Sequence, residues 1–260
     1  MAAYPDKRLV AASFGRAAKS YDAAAQLQCE IGEQLLASIP STLTPEVILD
    51  LGSGTGYFAV LLRNKFPLAR IICLDLAENM LTYARDIRPL DVVYLCADAE
   101  QIPLKNTSID LIFSSLAIQW CENVSALFSE LQRVLQPQGR AFIATLGPDT
   151  LFELRHAWRQ VDNYVHVNTF VSMAKLQEAV ERQEFSQSFY RSVKRVLKYS
   201  QLQQLTRELK AIGAHNMNPD QSLGLSGRKR IELFRRAYEQ YRSQGMLPAT
   251  YDIYYLSFFK

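Results

Sequence analysis

Several features are scarce in this 260-residue chain, and each scarcity removes a class of function. The four cysteines, Cys29, Cys73, Cys96 and Cys121, show no C-x-x-C spacing, so no structural zinc or other metal is expected. Cys73 and Cys96 fall inside apparent strands, where a thiol behaves as a small hydrophobe in a reduced, cytoplasmic protein. Only three histidines are present, with no Ser/His/Asp arrangement, which disfavours a hydrolase. Apolar runs are too short to cross a bilayer. The opening M-A-A-Y-P-D-K-R has no apolar stretch of the secretory kind. Repeats and low-complexity tracts are missing as well.

What is present describes an ordinary globular protein: 48% hydrophobic residues, 21% charged, and enough length for a large core. The net charge of +3 hides an asymmetry. Residues 1–150 hold 12 Lys/Arg against 16 Asp/Glu, a net of −4, whereas residues 151–260 hold 17 against 10, a net of +7. A basic second half suggests an acidic partner, although a solvated surface has the same composition.

The stretch Val47 to Gly56, V-I-L-D-L-G-S-G-T-G, organises the rest. Val47, Ile48 and Leu49 suit a buried parallel strand, Asp50 ends the apolar run, and Gly52, Gly54 and Gly56 follow at spacings of two. Tyr57 to Phe66 is apolar at helical spacing, so the loop delivers the chain into a helix N-terminus, where free amides suit an anionic or hydrogen-bond-accepting ligand. A dinucleotide fingerprint would need G-x-G-x-x-G, and a phosphate loop would need a following lysine; neither is here.

Residues 5–39 read as helix, with Phe14, Ala17, Ala18, Tyr21, Leu27, Ile31, Leu35 and Leu36 available to one face. From Val47 strands and helices alternate: strands at 47–51, 70–76, 92–97, 109–116 and 140–146, helices at 56–66, 78–87 and 123–135. That order predicts a parallel sheet covered on both faces, with any ligand beyond the strands' carboxyl ends. Asp75 ends the second strand, 19 residues past Gly56, where it can accept from ribose hydroxyls or cap the next helix. Asp98 ends the third, where it can accept from an adenine amino group or start a turn. Beyond the fifth strand come helices at 149–161 and 172–182, a basic β segment from Ser188 to Tyr199, a helix at 201–212, and a loop around Gly224. A last helix follows with an apolar stripe of Ile231, Phe234, Ala237, Tyr238 and Tyr241, and then a closing strand.

D-L-G-S-G-T-G, L-D-L-A-E-N-M-L, A-D-A-E-Q-I-P-L and L-Q-R-V-L-Q-P-Q-G-R resemble the successive motifs of class I S-adenosylmethionine (SAM) methyltransferases, over residues 45–147. The resemblance implies an α/β fold: a seven-stranded, mostly parallel, doubly wound sheet. Residues 1–44 would form a helical cap, 148–184 a helical insertion, and 185–260 a part completing the sheet, all in one domain. It also implies SAM as cofactor, S-adenosylhomocysteine as product, and cofactor contacts from Tyr21, Asp50, Gly52, Ser53, Gly54, Asp75, Leu76, Asp98, Ala99 and Ser115. Ser114 to Gln119 would line the methyl-transfer chamber. F-G-R-A-A-K-S-Y, L-Q at 27–28, S-L-A-I-Q-W, T-L-F-E-L, H-V-N-T-F and L-K-A-I-G-A resemble one subfamily, the malonyl-acyl-carrier-protein O-methyltransferases of biotin synthesis. The loop after Gly213 departs from it.

The subfamily implies methylation of the free carboxylate of a malonyl group on acyl carrier protein or coenzyme A, with neither nucleic acid nor membrane as partner. Such an acceptor is already ionised at neutral pH and needs no general base, so catalysis would rest on in-line alignment. Arg16, Tyr21, Gln119, Trp120 and His166 are the candidates to steer the carboxylate. A methyltransferase of quinone precursors or other small acids, and a non-catalytic SAM- or nucleic-acid-binding module, stay open as alternatives.

Overall fold

The structure, a computed structural model, describes residues 6–214 and 227–260, apart from the Arg228 side chain. The loop read around Gly224 therefore lies outside the described residues. Seven strands form one sheet: β1 (Val47–Leu51), β2 (Arg70–Asp75), β3 (Val93–Cys96), β4 (Ile109–Ser115), β5 (Leu135–Leu146), β6 (Gln187–Tyr199) and β7 (Leu247–Phe259). Their order is β3-β2-β1-β4-β5-β7-β6. The ladders among the first five are parallel, and β7 runs antiparallel to both of its neighbours. The chain leaves β1 in one direction to β2 and returns on its other side as β4. That puts the topological switch point at the carboxyl end of β1, where open α/β sheets bind their ligands.

Alternation along each strand divides the core between two faces. Ile48, Leu111, Phe113, Phe142, Ala144 and Ile253 are buried on one side with α2 (Gln26–Ser38), α3 (Tyr57–Lys65), α6 (Phe152–Arg159), α8 (Leu202–Ala211) and α9 (Gly227–Glu239). Leu49, Leu51, Ile112, Ile143, Leu256 and Phe258 are buried on the other with α5 (Val124–Val134) and α7 (Met173–Glu181). Fully burying one such side chain contributes about 1.5–3 kcal/mol, so the sheet is a rigid base for whatever its edge presents.

Four expectations need correcting. The N-terminal helix is two helices, α1 (Lys7–Ala24) and α2, broken at Ala25, where φ −95° and ψ 29° leave the helical range. The break lets α1 lie against α4 (Glu78–Ile87) while α2 packs on β4 and β5, two surfaces that one straight rod could not reach. Cys96 is exposed rather than buried, because β3 is the sheet's edge. β5 starts earlier than position 140, at Leu135, through a register irregularity opposite Ile109–Leu111. Ile231 is exposed, since only Phe234, Ala237 and Tyr238 of the α9 stripe turn inward.

Candidate functional site

At the carboxyl edge of the parallel strands lie two cavities that share Phe14, Tyr21, Leu116 and Trp120 in their walls. The first is built on the glycine loop. Gly52, Gly54 and Gly56 have φ of +77°, +53° and +77°, a left-handed backbone that side chains resist. At Gly52 a Cβ would sit 2.1 Å from the Ala117 Cβ, so glycine is required there by packing as well. At Gly54 a Cβ would meet nothing within 4 Å, because this residue faces open cavity.

Asp75 holds this loop in shape. Its Oδ2 accepts from the Gly54 amide at 2.8 Å and its Oδ1 from the Ala77 amide at 2.8 Å. It caps no helix, since α4 begins after Ala77. Each carboxylate oxygen keeps a lone pair for another donor. Burial raises the Asp75 pKa against the pull of those backbone bonds. Leu76, Ala99 and Ser115 also line this cavity, and the buried Ser115 Oγ has no partner.

Asp98 lines the same cavity and its carbonyl opens a turn, accepting from Gln101 N at 3.0 Å. Its carboxylate accepts from Lys7 Nζ at 2.6 Å and from the Glu100 amide at 2.9 Å. Lys7 also lies 2.8 Å from Glu100, and although burial opposes its charge, these two partners raise its pKa. The residue pattern of α1 does not single out Lys7; only the fold carries it across to Asp98.

Asp50 and Ser53 are buried behind the loop rather than in the cavity wall. Asp50 Oδ2 has no hydrogen-bond partner, and burial, then the charge of Asp75, pushes its pKa up to about 8. Ser114 is likewise absent from the expected chamber. Strand alternation turns it inward, where its Oγ donates to Leu51 O at 2.8 Å, and the next residue, Ser115, faces the cavity.

The second cavity draws on many elements. Tyr21, Gln119, Trp120 and His166 all line it, whereas Arg16 is exposed on the outer side of α1 and lines neither cavity. Val10, Ser13, Ala17 and Ala18 set the buried face of α1, and Arg16 lies off it. Gln119 is committed at both ends: its Nε2 donates to Leu116 O at 2.7 Å, and its Oε1 accepts from Thr145 at 3.3 Å. Trp120 packs edge-on against Phe14 at 5.2 Å. Burial raises the pKa of the Tyr21 phenol, keeping it protonated.

His166 sits in the most constructed part of this wall. Its ring stacks on Trp158 at 3.8 Å, and Trp158 stacks on Phe234 at 4.1 Å. His166 Nε2 is 2.8 Å from Asp162 Oδ1, and Arg230 donates to Asp162 Oδ2 through Nε at 3.1 Å and through Nη2. Burial works against the Asp162 charge, but Arg230 and His166 outweigh it and hold its pKa below the ordinary carboxylate value. Trp158, Phe234, Asp162 and Arg230 escape a reading by motif because their partners are up to 76 residues apart in sequence. The i,i+4 spacing of Asp162 and His166 is the one local signal among them.

Residues 49–143 match the family model described as a methyltransferase domain. Among solved structures, the YcgJ protein from Bacillus subtilis has a TM-score of 0.61 at 15% identity, covering 88% of this chain and 97% of that one. Phosphoethanolamine N-methyltransferase 2 from Haemonchus contortus, in complex with S-adenosyl-L-methionine, has a TM-score of 0.57 at 18% identity, covering 94% and 56%. Likeness at such identities speaks for the fold alone. A biotin biosynthesis bifunctional protein BioHC from Cellvibrio japonicus is 50% identical over 251 residues, and the chain spans half the length of that relative. A malonyl-[acyl-carrier protein] O-methyltransferase from Laribacter hongkongensis is 42% identical over 263 residues, 97% of this chain and 89% of that one. By that identity over nearly its whole length, this chain belongs to the malonyl-[acyl-carrier protein] O-methyltransferase family.

Proposed function

We propose that this enzyme transfers the methyl group of SAM to the free carboxylate of a malonyl thioester, with acyl carrier protein as the bearer of the malonyl group. The observation that supports it best is the meeting of the two cavities at Phe14, Tyr21, Leu116 and Trp120. A donor held in one and an acceptor held in the other would face each other across a shared wall.

The first cavity fits SAM by its own chemistry. Asp75, oriented by two backbone amides, has lone pairs free for a ribose diol. The open space at Gly54, with Gly52 beside it, admits the amino-acid portion, and Asp98 with Ala99 borders the adenine end. Tyr21, Leu76 and Ser115 complete the wall, while Asp50 and Ser53 support the loop from behind. When bound, the cofactor supplies a methyl group on a positively charged sulfur. A malonyl carboxylate is the complementary nucleophile and arrives ionised, so no side chain is asked to remove a proton. The chain's contribution is then orientation and exclusion of water: Phe14, Leu116 and Trp120 close the junction, and Tyr21, Gln119 and His166 face the acceptor.

Incubation with SAM and malonyl-acyl carrier protein, followed by intact-mass spectrometry, tests this directly. One added methyl group, removed by mild ester hydrolysis, is the expected result. No methylation of the malonyl substrate, with methylation of a quinone precursor instead, would replace the acceptor and keep the fold assignment.

A further inference from the structure

The second cavity must hold an anion if the malonyl reading above is right, and this inference rests on that reading. Of Tyr21, Gln119, Trp120 and His166, which all line the cavity, the first three are neutral donors or acceptors. His166 is different, because the fold has built a charged and hydrogen-bonded array behind it.

That arrangement has three parts. Asp162 takes His166 Nε2 at 2.8 Å, which fixes the ring orientation and leaves Nδ1 as the nitrogen for a cavity ligand. Arg230 binds the far oxygen of Asp162 through two nitrogens, so the carboxylate stays ionised and immobile. Trp158 lies flat against the imidazole at 3.8 Å with an interplanar angle of 10°, and an aromatic face attracts a cation. The groups facing His166 from other elements do not upset this array. Trp158 and Phe234 carry no ionisable group, Tyr164 lies beneath Arg230 at 5.4 Å, and across the cavity burial keeps the Tyr21 and Tyr251 phenols protonated.

We infer that His166 is the carboxylate-binding residue of the acceptor site, that it takes up a proton as the anion binds, and that Asp162 and Arg230 are its positioning residues. Charge balance is the reason. With the cavity free of anion, Arg230 and Asp162 already neutralise each other. An arriving carboxylate adds one negative charge to a nearly buried site. A proton from solvent on Nδ1 of His166 restores neutrality and gives an alternating row: guanidinium, carboxylate, imidazolium, substrate carboxylate. Methyl transfer then breaks the sulfur–methyl bond and makes an oxygen–methyl bond, turning sulfonium and carboxylate into thioether and neutral ester. No proton moves in that step. The imidazolium, having lost its anion, returns its proton to solvent as the ester leaves. Anion and ester are thereby distinguished by the same residue.

Calorimetry on the full chain saturated with S-adenosylhomocysteine tests this without turnover. A short malonyl thioester and its methyl ester are each titrated in phosphate and in Tris near pH 7.5. The malonyl thioester is expected to give heats that differ between buffers by roughly half to one proton taken up, and the methyl ester equal heats. In the Asp162→Asn variant the uptake should vanish and malonyl affinity fall roughly tenfold, with ester affinity nearly unchanged. Equal heats for the malonyl thioester in both buffers, with the wild-type protein, would overturn the inference whether or not the variant folds. Equal weakening of thioester and ester by Asp162→Asn would reduce the trio to a structural clamp and overturn the positioning role. If wild-type enzyme fails to methylate malonyl thioester at all, the malonyl reading falls and this inference with it. Methylation accompanied by equal heats strikes the inference alone.

Discussion

The two cavities sit side by side and are made in different ways. The first is largely backbone: a glycine loop, the ends of adjacent parallel strands, and two carboxylates a fixed number of residues downstream. Apart from the residues that α1 lays across it, its wall comes from residues 51–121. The second gathers residues from distant parts of the chain, and its wall runs from Phe14 to Tyr251 by way of α6, the His166 loop, α8 and α9. A backbone site tolerates little change at the residues that shape the turn. A side-chain site can lose one member and keep its outline. Substitutions in the first cavity should therefore act abruptly on cofactor binding, and those around the second should act gradually and on the acceptor only.

The sharpest break in that contrast is Gly52→Ala. The new methyl would meet Ala117 at 2.1 Å on a backbone with φ of +77°, and strain plus clash should cost about 3 kcal/mol or more. SAM binding by calorimetry should disappear while circular dichroism still reports the fold; retained binding would mean that the loop is not the cofactor platform. Next is Asp75→Ala, which removes an acceptor whose oxygens are aimed by Gly54 and Ala77. A loss on the order of 2–3 kcal/mol is expected, about 30- to 150-fold in dissociation constant. An unchanged constant would take Asp75 out of the site.

Asp50 gives a smaller effect with a pH signature. Its folded pKa is raised to about 8 by burial, so between the ordinary carboxyl value and that point the folded state holds a proton that the unfolded state has released. Stability therefore falls as pH rises through this window. Asp50→Asn cannot titrate, so its melting temperature without ligand should exceed the wild-type value by an amount that grows from pH 5 to about 8 and then levels off. A gap independent of pH would show that Asp50 is not protonated in the fold.

Surface charge should matter least. Of the basic residues in the second half, Lys194 pairs with Asp149, Arg195 with Glu30 and Arg236 with Glu232, whereas Lys198, Lys229 and Arg235 are exposed without an ion pair of their own among the described residues. Exposed charges act weakly one by one and together steer association. Changing Lys198, Lys229 and Arg235 to glutamate should slow methylation of malonyl-acyl carrier protein severalfold at low salt, and leave a short malonyl thioester unaffected. Equal losses on both substrates would place these residues in the pocket's support.

The sheet and the first cavity were legible in the chain because both follow from local rules. Strand and helix periodicity, three glycines at spacings of two, and acids at strand ends act over spans of ten or twenty residues, and nothing distant has to be known. The break at Ala25 and the exposure of Cys96 were not legible, since one depends on what α1 and α2 pack against and the other on which strand ends the sheet. Arg16 shows the limit most plainly. It belongs to a motif otherwise bound up with the cavities, through Phe14 and Tyr21, yet helical geometry turns it to solvent. Sequence determined that a glycine loop would end β1 and that acids would stand at neighbouring strand ends. Tertiary structure alone decided that Lys7 reaches Asp98, that Asp50 is sealed behind the loop, and that Arg230 meets Asp162 across 68 residues of chain. The physical reason is range: backbone conformation is set by near neighbours, whereas the charge, burial and orientation of a side chain are set by whatever the fold brings against it.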